Sequence, residues 1–200
     1  MQQLSLFEQP KISSQFAEYF FVLSPPQEVS EKVVRFKNDL NSKIKIGDHN
    51  LFSKPHVTLL LIPVRDLSGE TVKSYAEKGF QDFKKVNISI EKASYFEHNF
   101  TKDIIYKFDE PNRVSKLTKK LHENLGLKFD TKKFTPHMTI ARGIERNKLT
   151  NFNSLHEFNF KTNFTCDRIT VLKRDLEVYN ARVVKRSAYS VFGEIGLDKF

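Results

Sequence analysis

The chain has 200 residues, 39% of them hydrophobic and nineteen of them Phe, which is enough for one hydrophobic core. Its single cysteine, Cys166, excludes an internal disulfide. No apolar run approaches the roughly 18 residues of a membrane span, and no signal-peptide pattern is present, so we expect a cytoplasmic protein, with a monomer as the default state.

The net charge of +9 is unevenly distributed along the chain. Residues 1–100 carry 13 Lys and Arg against 12 Asp and Glu, whereas residues 101–200 carry 20 against 12. Scattered basic doublets suit a folded surface of positive potential, for which ligands that carry phosphate are natural partners. The doublets are Lys119-Lys120, Lys132-Lys133, Lys173-Arg174 and Lys185-Arg186.

Residues 1–15 are mostly polar and are predicted to form a flexible tail. Within them, Gln3-Leu4-Ser5-Leu6-Phe7 resembles the short peptide by which bacterial replication and repair proteins bind the sliding clamp. An incidental tail, or a strand added to the edge of a sheet, is the alternative interpretation.

The first half of the chain predicts the order strand, helix, strand, helix. Residues 16–23 are aromatic and β-branched and are followed by Pro25-Pro26, which indicates a buried strand that stops there. Apolar residues at three- and four-residue steps predict an amphipathic helix from 27 to about 44. A strand over 56–62, closed by Pro63, follows. After it, a weaker helix is predicted over 68–83, with Val72, Tyr75, Ala76 and Phe80 facing inward.

The second half predicts more strands than helices. Strands over 86–96 and 104–108 are expected to pair through a turn near Asn99, and a helix over 112–125 ends at Gly126. A strand over 137–142 is followed by strands over 157–164, 168–174 and 188–195. Because strands and helices do not alternate strictly, the pattern favours an α+β fold with antiparallel sheets. The lack of a Gly/Ser linker predicts one domain over 16–200, built as two lobes.

A pentapeptide repeat stands out against this background. Pro55-His56-Val57-Thr58-Leu59 returns 81 positions later as Pro136-His137-Met138-Thr139-Ile140. In a strand, the period of two places each His beside its Thr on one face, while the intervening apolar residues face the core. An imidazole accepts or donates a proton near neutral pH, so a facing pair can supply the base and the acid of one reaction.

Two basic residues beside the repeat are candidate phosphate ligands. Arg142 follows the second copy, although strict alternation points it away from His137, and Lys54 has the parity to line a groove beside His56. The remaining histidines (His49, His98, His122 and His156) have no repeated context and are interpreted as ordinary core or surface residues. A zinc site would require three protein ligands, and no His-Glu-x-x-His pattern or Cys cluster exists, so no metal is predicted.

The doubled His-x-Thr-x motif resembles that of the 2H phosphoesterase superfamily, and within it the branch of 2′,5′ RNA ligase-like proteins, or RNA 2′,3′-cyclic phosphodiesterases. The resemblance spans about residues 16–195 and includes the extended second copy that ends in Ala141-Arg142. It implies a LigT-like fold of two pseudo-symmetric lobes of antiparallel sheet with outer helices, in which the two motifs meet in the groove between the lobes.

The same resemblance implies hydrolysis of 2′,3′-cyclic phosphate ends of RNA or related nucleotides to 2′-phosphates, without a metal or cofactor, and a reverse 2′,5′ ligation. His56 is assigned as acid and His137 as base, although the symmetry of the motifs leaves the two roles interchangeable. Thr58 and Thr139 would donate to the nonbridging phosphate oxygens. Cyclic ADP-ribose phosphates or 2′,5′-oligoadenylates stay open as substrates. The alternatives are a protein that binds RNA ends or nucleotides without turnover, and a repair-associated adaptor recruited by the N-terminal peptide.

Overall fold

A computed structural model describes most of the chain after the N-terminal segment. The clamp-binding hypothesis for Gln3–Phe7 and the predicted tail lie outside the described residues. Among the described residues, no helix combines the length and the apolar character needed to cross a membrane. The described ranges are 16–65, 68–78, 83–130, 133–150, 155–179 and 182–197.

Strands dominate the described residues, and four α-helices lie between them. The strands are β1 (Phe16–Leu23), β2 (Val57–Arg65), β3 (Val86–Glu97), β4 (Thr101–Phe108), β5 (His137–Glu145), β6 (Thr162–Cys166), β7 (Arg168–Tyr179), β8 (Arg182–Arg186) and β9 (Ser190–Gly196). The helices are α1 (Gln27–Ile44), α2 (Asp48–Leu51), α3 (Gly69–Glu77) and α4 (Asn112–Asn124). Two short 3₁₀ turns cover Arg146–Leu149 and Leu155–Phe158.

All strand pairs are antiparallel, which confirms the predicted α+β class. The sheet runs in the order β6-β3-β4-β5-β2-β1-β7-β8, and β9 also pairs with β7. At its centre, β2 and β5 are joined by the single pair Val57 and Met138. The sheet therefore has two halves, β6-β3-β4-β5 and β2-β1-β7 with its partners, which meet where the two motif strands meet.

The long helices cross from one half to the other. Helix α1 follows β1 but packs on β5, and α4 follows β4 but packs on β2. Helix α4 buries Val114, Leu117 and Leu121 on one stripe, and each such side chain contributes about 1.5–3 kcal/mol when fully buried. Because each helix covers the strand of the opposite half, the two motif strands are held side by side.

The strand predicted to close at Pro63 in fact continues to Arg65. Pro63 lies opposite Glu18 of β1, and the described residues of β2 pair with β5 only at Val57. Most of β2 is therefore an edge on that side, where the missing N–H of a proline is tolerated.

The prediction of a strand over 157–164 was wrong in its first half. Phe158 ends a 3₁₀ turn and β6 begins only at Thr162. Phe158 and Phe160 are both buried, and the hydroxyl of Tyr106 donates to the carbonyl of Phe158 at 2.7 Å. The alternation of apolar residues here reflects contact with the core rather than a sheet.

Helix α3 is shorter than predicted. It ends at Glu77, with Val72 and Ala76 buried as expected but Tyr75 47% exposed. The predicted contact of Phe80 lies outside the described residues.

Candidate active site

The two motifs meet at the junction of the two halves of the sheet. Val57 lies opposite Met138 in an antiparallel pair, so one further step in each direction sets His56 opposite Thr139 and Thr58 opposite His137. The burial pattern agrees, because both motifs alternate between buried apolar residues and partly exposed His and Thr. The structure therefore brings the four predicted polar side chains to one face.

The separation of the two imidazoles follows from the same register. His56 and His137 are diagonal neighbours across the junction, and such residues lie about 7–8 Å apart, with their Cβ atoms somewhat closer. Such a separation leaves room for one tetrahedral group between the rings, with Thr58 and Thr139 at its sides.

Both imidazoles are held in the same tautomer. Nδ1 of His56 lies 2.7 Å from the carbonyl oxygen of Lys54, and Nδ1 of His137 lies 2.8 Å from the carbonyl oxygen of Thr135. A carbonyl oxygen only accepts, so Nδ1 carries the proton in each ring. Nε2 of each ring is then the atom that exchanges a proton with a ligand.

An aromatic ring fixes the plane of each imidazole. Phe20 lies edge-to-face against His56 with ring centroids 5.0 Å apart, and Phe96 lies in the same way against His137 at 4.8 Å. These contacts and the carbonyl bonds restrict both rotatable bonds of each histidine, which preorganises the pair.

A bulge after each motif determines the direction of Arg142. Two adjacent buried residues, 59–60 in β2 and 140–141 in β5, interrupt the alternation where the pairing register shifts. Such a bulge inserts one residue into a strand, so Leu61 and Arg142 return to the face that carries the His-Thr pairs. The expectation that strict alternation points Arg142 away from His137 is therefore wrong.

The guanidinium of Arg142 stands close to the histidine pair. Its charge lowers the pKa of both His56 and His137. Arg142 Nε lies 4.0 Å from Oδ2 of Asp103, and Oδ1 of the same carboxylate accepts from the backbone N–H of Gly143. The side chain is 64% exposed and can bind an anion. The equivalent position in β2 is Leu61, so the two half-sites differ in charge.

Lys54 lies two residues before His56. It is exposed, its carbonyl holds the His56 ring, and its side chain lines a cleft of about 670 Å³ that opens beside His56. The cleft runs towards the β6–β7 turn and presents both basic and acidic groups. Its polar lining includes Ser24, Lys85, Asp167, Arg168, Thr170 and Glu194.

The pKa values of both histidines lie below the ordinary value of 6.5. Burial is the largest cause for each, and the backbone hydrogen bond of each ring opposes it. A charge on His137 further lowers the pKa of His56. A state with one protonated and one neutral imidazole is the one that an acid and a base require.

Nothing among the described residues assembles three or more His, Cys, Asp or Glu side chains in a way that would hold a metal ion. His98, interpreted from the sequence as an ordinary residue, lies 3.3 Å from a carboxylate oxygen of Asp103. It thus contacts the carboxylate that faces Arg142 rather than the histidine pair.

Sequence reasoning missed Lys37, which is 1% exposed. It lies on the buried stripe of α1, between Val33 and Leu40. Burial lowers its pKa to about 8, and its charge in turn lowers the pKa of His56. The signal in the sequence is a lysine four residues after Val33, at a position of the α1 stripe that is otherwise apolar.

Replacing Lys37 with Met is expected to change how stability depends on pH. The folded pKa of about 8 lies below the unfolded value of 10.5, so the unfolded state binds more protons between these values and wild-type stability rises with pH there. The shift corresponds to about 3 kcal/mol, gained by the wild type relative to Lys37→Met between pH 7 and 11. Urea denaturation of both proteins across this range measures it, and parallel curves would contradict the buried charge.

Solved structures share this fold at low sequence identity. E. coli LigT complexed with 3′-AMP matches with a TM-score of 0.62 and 15% identity over 92% of this chain and 99% of LigT. TT0787 of Thermus thermophilus matches with a TM-score of 0.58 and 16% identity over 90% and 97% of the two chains. Among curated proteins, no sequence matches this chain.

The family model of the 2′-5′ RNA ligase superfamily matches residues 20–177. The match includes both His-x-Thr motifs, both bulges and the helices that hold the motif strands together. It covers more than half of the sequence and agrees with the fold of the solved structures. The chain therefore belongs to the 2′-5′ RNA ligase superfamily.

Proposed function

We propose that this protein is a metal-independent phosphodiesterase that hydrolyses 2′,3′-cyclic phosphate ends of RNA or a related nucleotide to 2′-phosphates. The observation that carries the proposal is the pair of imidazoles of His56 and His137, each held at Nδ1 by a backbone carbonyl and set diagonally on one face with two threonine hydroxyls. E. coli LigT, which has this fold, has been solved with 3′-AMP and with ATP. That protein thus binds nucleotides.

The proposed reaction requires two proton transfers. A water oxygen attacks phosphorus while His137 Nε2 takes its proton, and the bond from phosphorus to the 3′ oxygen breaks while His56 Nε2 donates a proton to that oxygen. His137 gains one proton and His56 loses one, so His137 is charged and His56 is neutral when the reaction ends. When the 5′-hydroxyl of a second strand replaces the water, the same transfers form a 2′,5′ linkage.

Negative charge on the nonbridging oxygens is stabilised from the same face. The hydroxyls of Thr58 and Thr139 can donate to these oxygens, and the Arg142 guanidinium adds a positive charge. Donors fixed in place before the reaction lower the barrier because they do not reorganise as charge develops. Lys54 and the adjoining cleft would contact the remainder of the nucleotide.

An oligonucleotide with a 2′,3′-cyclic phosphate end tests the proposal when EDTA is present throughout. We expect turnover to a 2′-phosphate, which resists a phosphatase that is specific for 3′-phosphates. His156→Ala, which alters an exposed histidine on a 3₁₀ turn, is the matched control and should keep the wild-type rate. Absence of turnover would contradict the proposal, and retained binding without product would favour the nucleotide-binding alternative.

The pH profile of the reaction should be bell-shaped and displaced to low pH. Because both histidine pKa values are lowered, both limbs of kcat/KM, which reports the free enzyme, shift to the acidic side of 6.5. A bound phosphodiester anion favours the charged imidazole, so the kcat profile should lie at higher pH than the kcat/KM profile. Steady-state kinetics from pH 4.5 to about 9 measure both. An optimum of kcat/KM above pH 6.5 would contradict the arrangement.

A further inference from the structure

Asn50 connects the segment before His56 to the strand of His137. It lies in α2 and its side chain is buried. Its amide nitrogen donates to the carbonyl oxygen of Arg142 at 3.0 Å, and its amide oxygen accepts from the Arg142 N–H at 2.8 Å. One side chain therefore pairs with both backbone groups of a β5 residue, as a neighbouring strand would.

The same amide also stabilises its own segment. Its nitrogen donates a second hydrogen bond, to the carbonyl oxygen of Ile46 at 2.7 Å. The two bonds to Arg142 lie directly after the bulge that turns this residue towards the histidine pair. Buried hydrogen bonds of this kind are costly to break, because the partners left behind are desolvated. Asn50 thus fixes the position of residues 50–56 relative to β5. These residues are called the first motif segment.

Lys37 connects the first motif segment to α1 by hydrogen bonds. Its ammonium donates to the carbonyl oxygen of Asn50 at 3.1 Å, and to the carbonyl oxygen and hydroxyl of Ser53 at 2.6 Å each. All three acceptors are neutral oxygens, so they do not cancel the charge of the ammonium. Lys54, whose carbonyl holds the His56 ring, directly follows Ser53. His56 itself comes three residues after Ser53.

We propose that Lys37 and Asn50 are positioning residues for the hydrolysis proposed above, on which this inference rests. Together they fasten the segment that carries His56 to the strand that carries His137 and Arg142. At neutral pH Lys37 also carries a positive charge that acts on His56. Neither residue contacts the substrate. Loss of either loosens the spacing of the two imidazoles, to which a reaction with two proton transfers is sensitive.

Lys37→Met tests the inference, with Arg35→Met as the matched control. Arg35 lies on the same helix, is exposed and carries the same charge. We expect Lys37→Met to lower kcat by about tenfold or more while KM changes much less, because substrate contacts are kept. Arg35→Met should leave both constants unchanged.

An NMR titration of the imidazoles gives a readout that does not depend on activity. The charges that act on His56 come from Lys37, Arg142 and His137, and all three lower its pKa. Removing the Lys37 charge should therefore raise the pKa of His56. The pKa of His137 should stay almost unchanged, because the charges that act on it are those of Arg142 and Asp103. If the wild type proves inactive, the proposed function fails, but this titration still decides the inference about Lys37.

Ser53→Ala is the second variant, in case Lys37→Met does not fold. Ser53 is exposed, and its loss removes one of the three Lys37 contacts and one bond to the Asn50 carbonyl. A smaller decrease in kcat, with a displaced His56 resonance, is expected. A folded Lys37→Met protein with wild-type kcat and an unchanged His56 pKa, or a Ser53→Ala protein with wild-type kcat and an undisplaced His56 resonance, would overturn the inference.

Discussion

His56→Ala and His137→Ala are each expected to lower kcat for a 2′,3′-cyclic phosphate by about 10²–10⁴-fold, the usual contribution of one positioned acid or base. Both imidazoles face the junction of β2 and β5 and hold their Nδ1 protons on backbone carbonyls. Each substitution removes one of the two proton transfers. Steady-state kinetics under EDTA measure the loss, with His156→Ala as the control.

The double variant distinguishes a shared site from two separate ones. If the rings act on one phosphate, His56→Ala with His137→Ala should lose little more than the worse single variant, because the two act as a unit. If losses multiply in the double variant, or if His137→Ala keeps most of the wild-type rate, the paired mechanism is contradicted.

A substrate with a good leaving group separates the roles of the two histidines. A phosphodiester with a nitrophenyl leaving group needs little help from an acid, since the departing oxygen is weakly basic. With His56 as acid, His56→Ala should recover most of its rate on this substrate while His137→Ala should not. The reverse result would exchange the two roles and leave the site intact.

Thr58→Val and Thr139→Val are expected to lower kcat by up to about 10²–10³-fold, the range for removing one donor to a developing oxyanion. Valine keeps the shape of threonine and removes only the hydroxyl, and both positions are partly exposed, so folding should be preserved. The decrease should appear in kcat more than in KM, because the hydroxyls meet the most negative charge in the transition state.

Serine at either position provides the matched control for the hydroxyl. Thr58→Ser and Thr139→Ser should retain most of the rate, and Thr162→Val, at the start of β6 in the outer part of the sheet, should behave as the wild type. Kinetics on all five variants measure this. Equal rates for the valine and serine variants would show that the hydroxyls do not contact the phosphate.

The sequence predicted those parts of the fold that depend on local physics. The stripe of Val29, Val33 and Leu40 predicted α1, and Gly126, with φ of +67°, ended the predicted helix α4 as a glycine in the left-handed region can. The repeated pentapeptides predicted the polar face of the site, because alternation in a strand is a property of the backbone itself.

Other features depend on contacts between distant segments. The bulges after the two motifs, which turn Arg142 towards the histidines, appear only when the register of β1 with β2 and of β4 with β5 is known. Strand β8 was missed because all its side chains are exposed, so its sequence shows no alternation. The bond from Asn50 to Arg142 could not be predicted from a local sequence pattern, because it joins residues 92 positions apart.

A crystal structure of the protein with a nucleoside 2′-phosphate, the product of the proposed reaction, tests the central claim most directly. The phosphate should lie between Nε2 of His56 and Nε2 of His137, with the hydroxyls of Thr58 and Thr139 on its oxygens and Arg142 beside it. A phosphate that contacts only one of the two imidazoles, or that binds away from the junction of β2 and β5, would contradict the account.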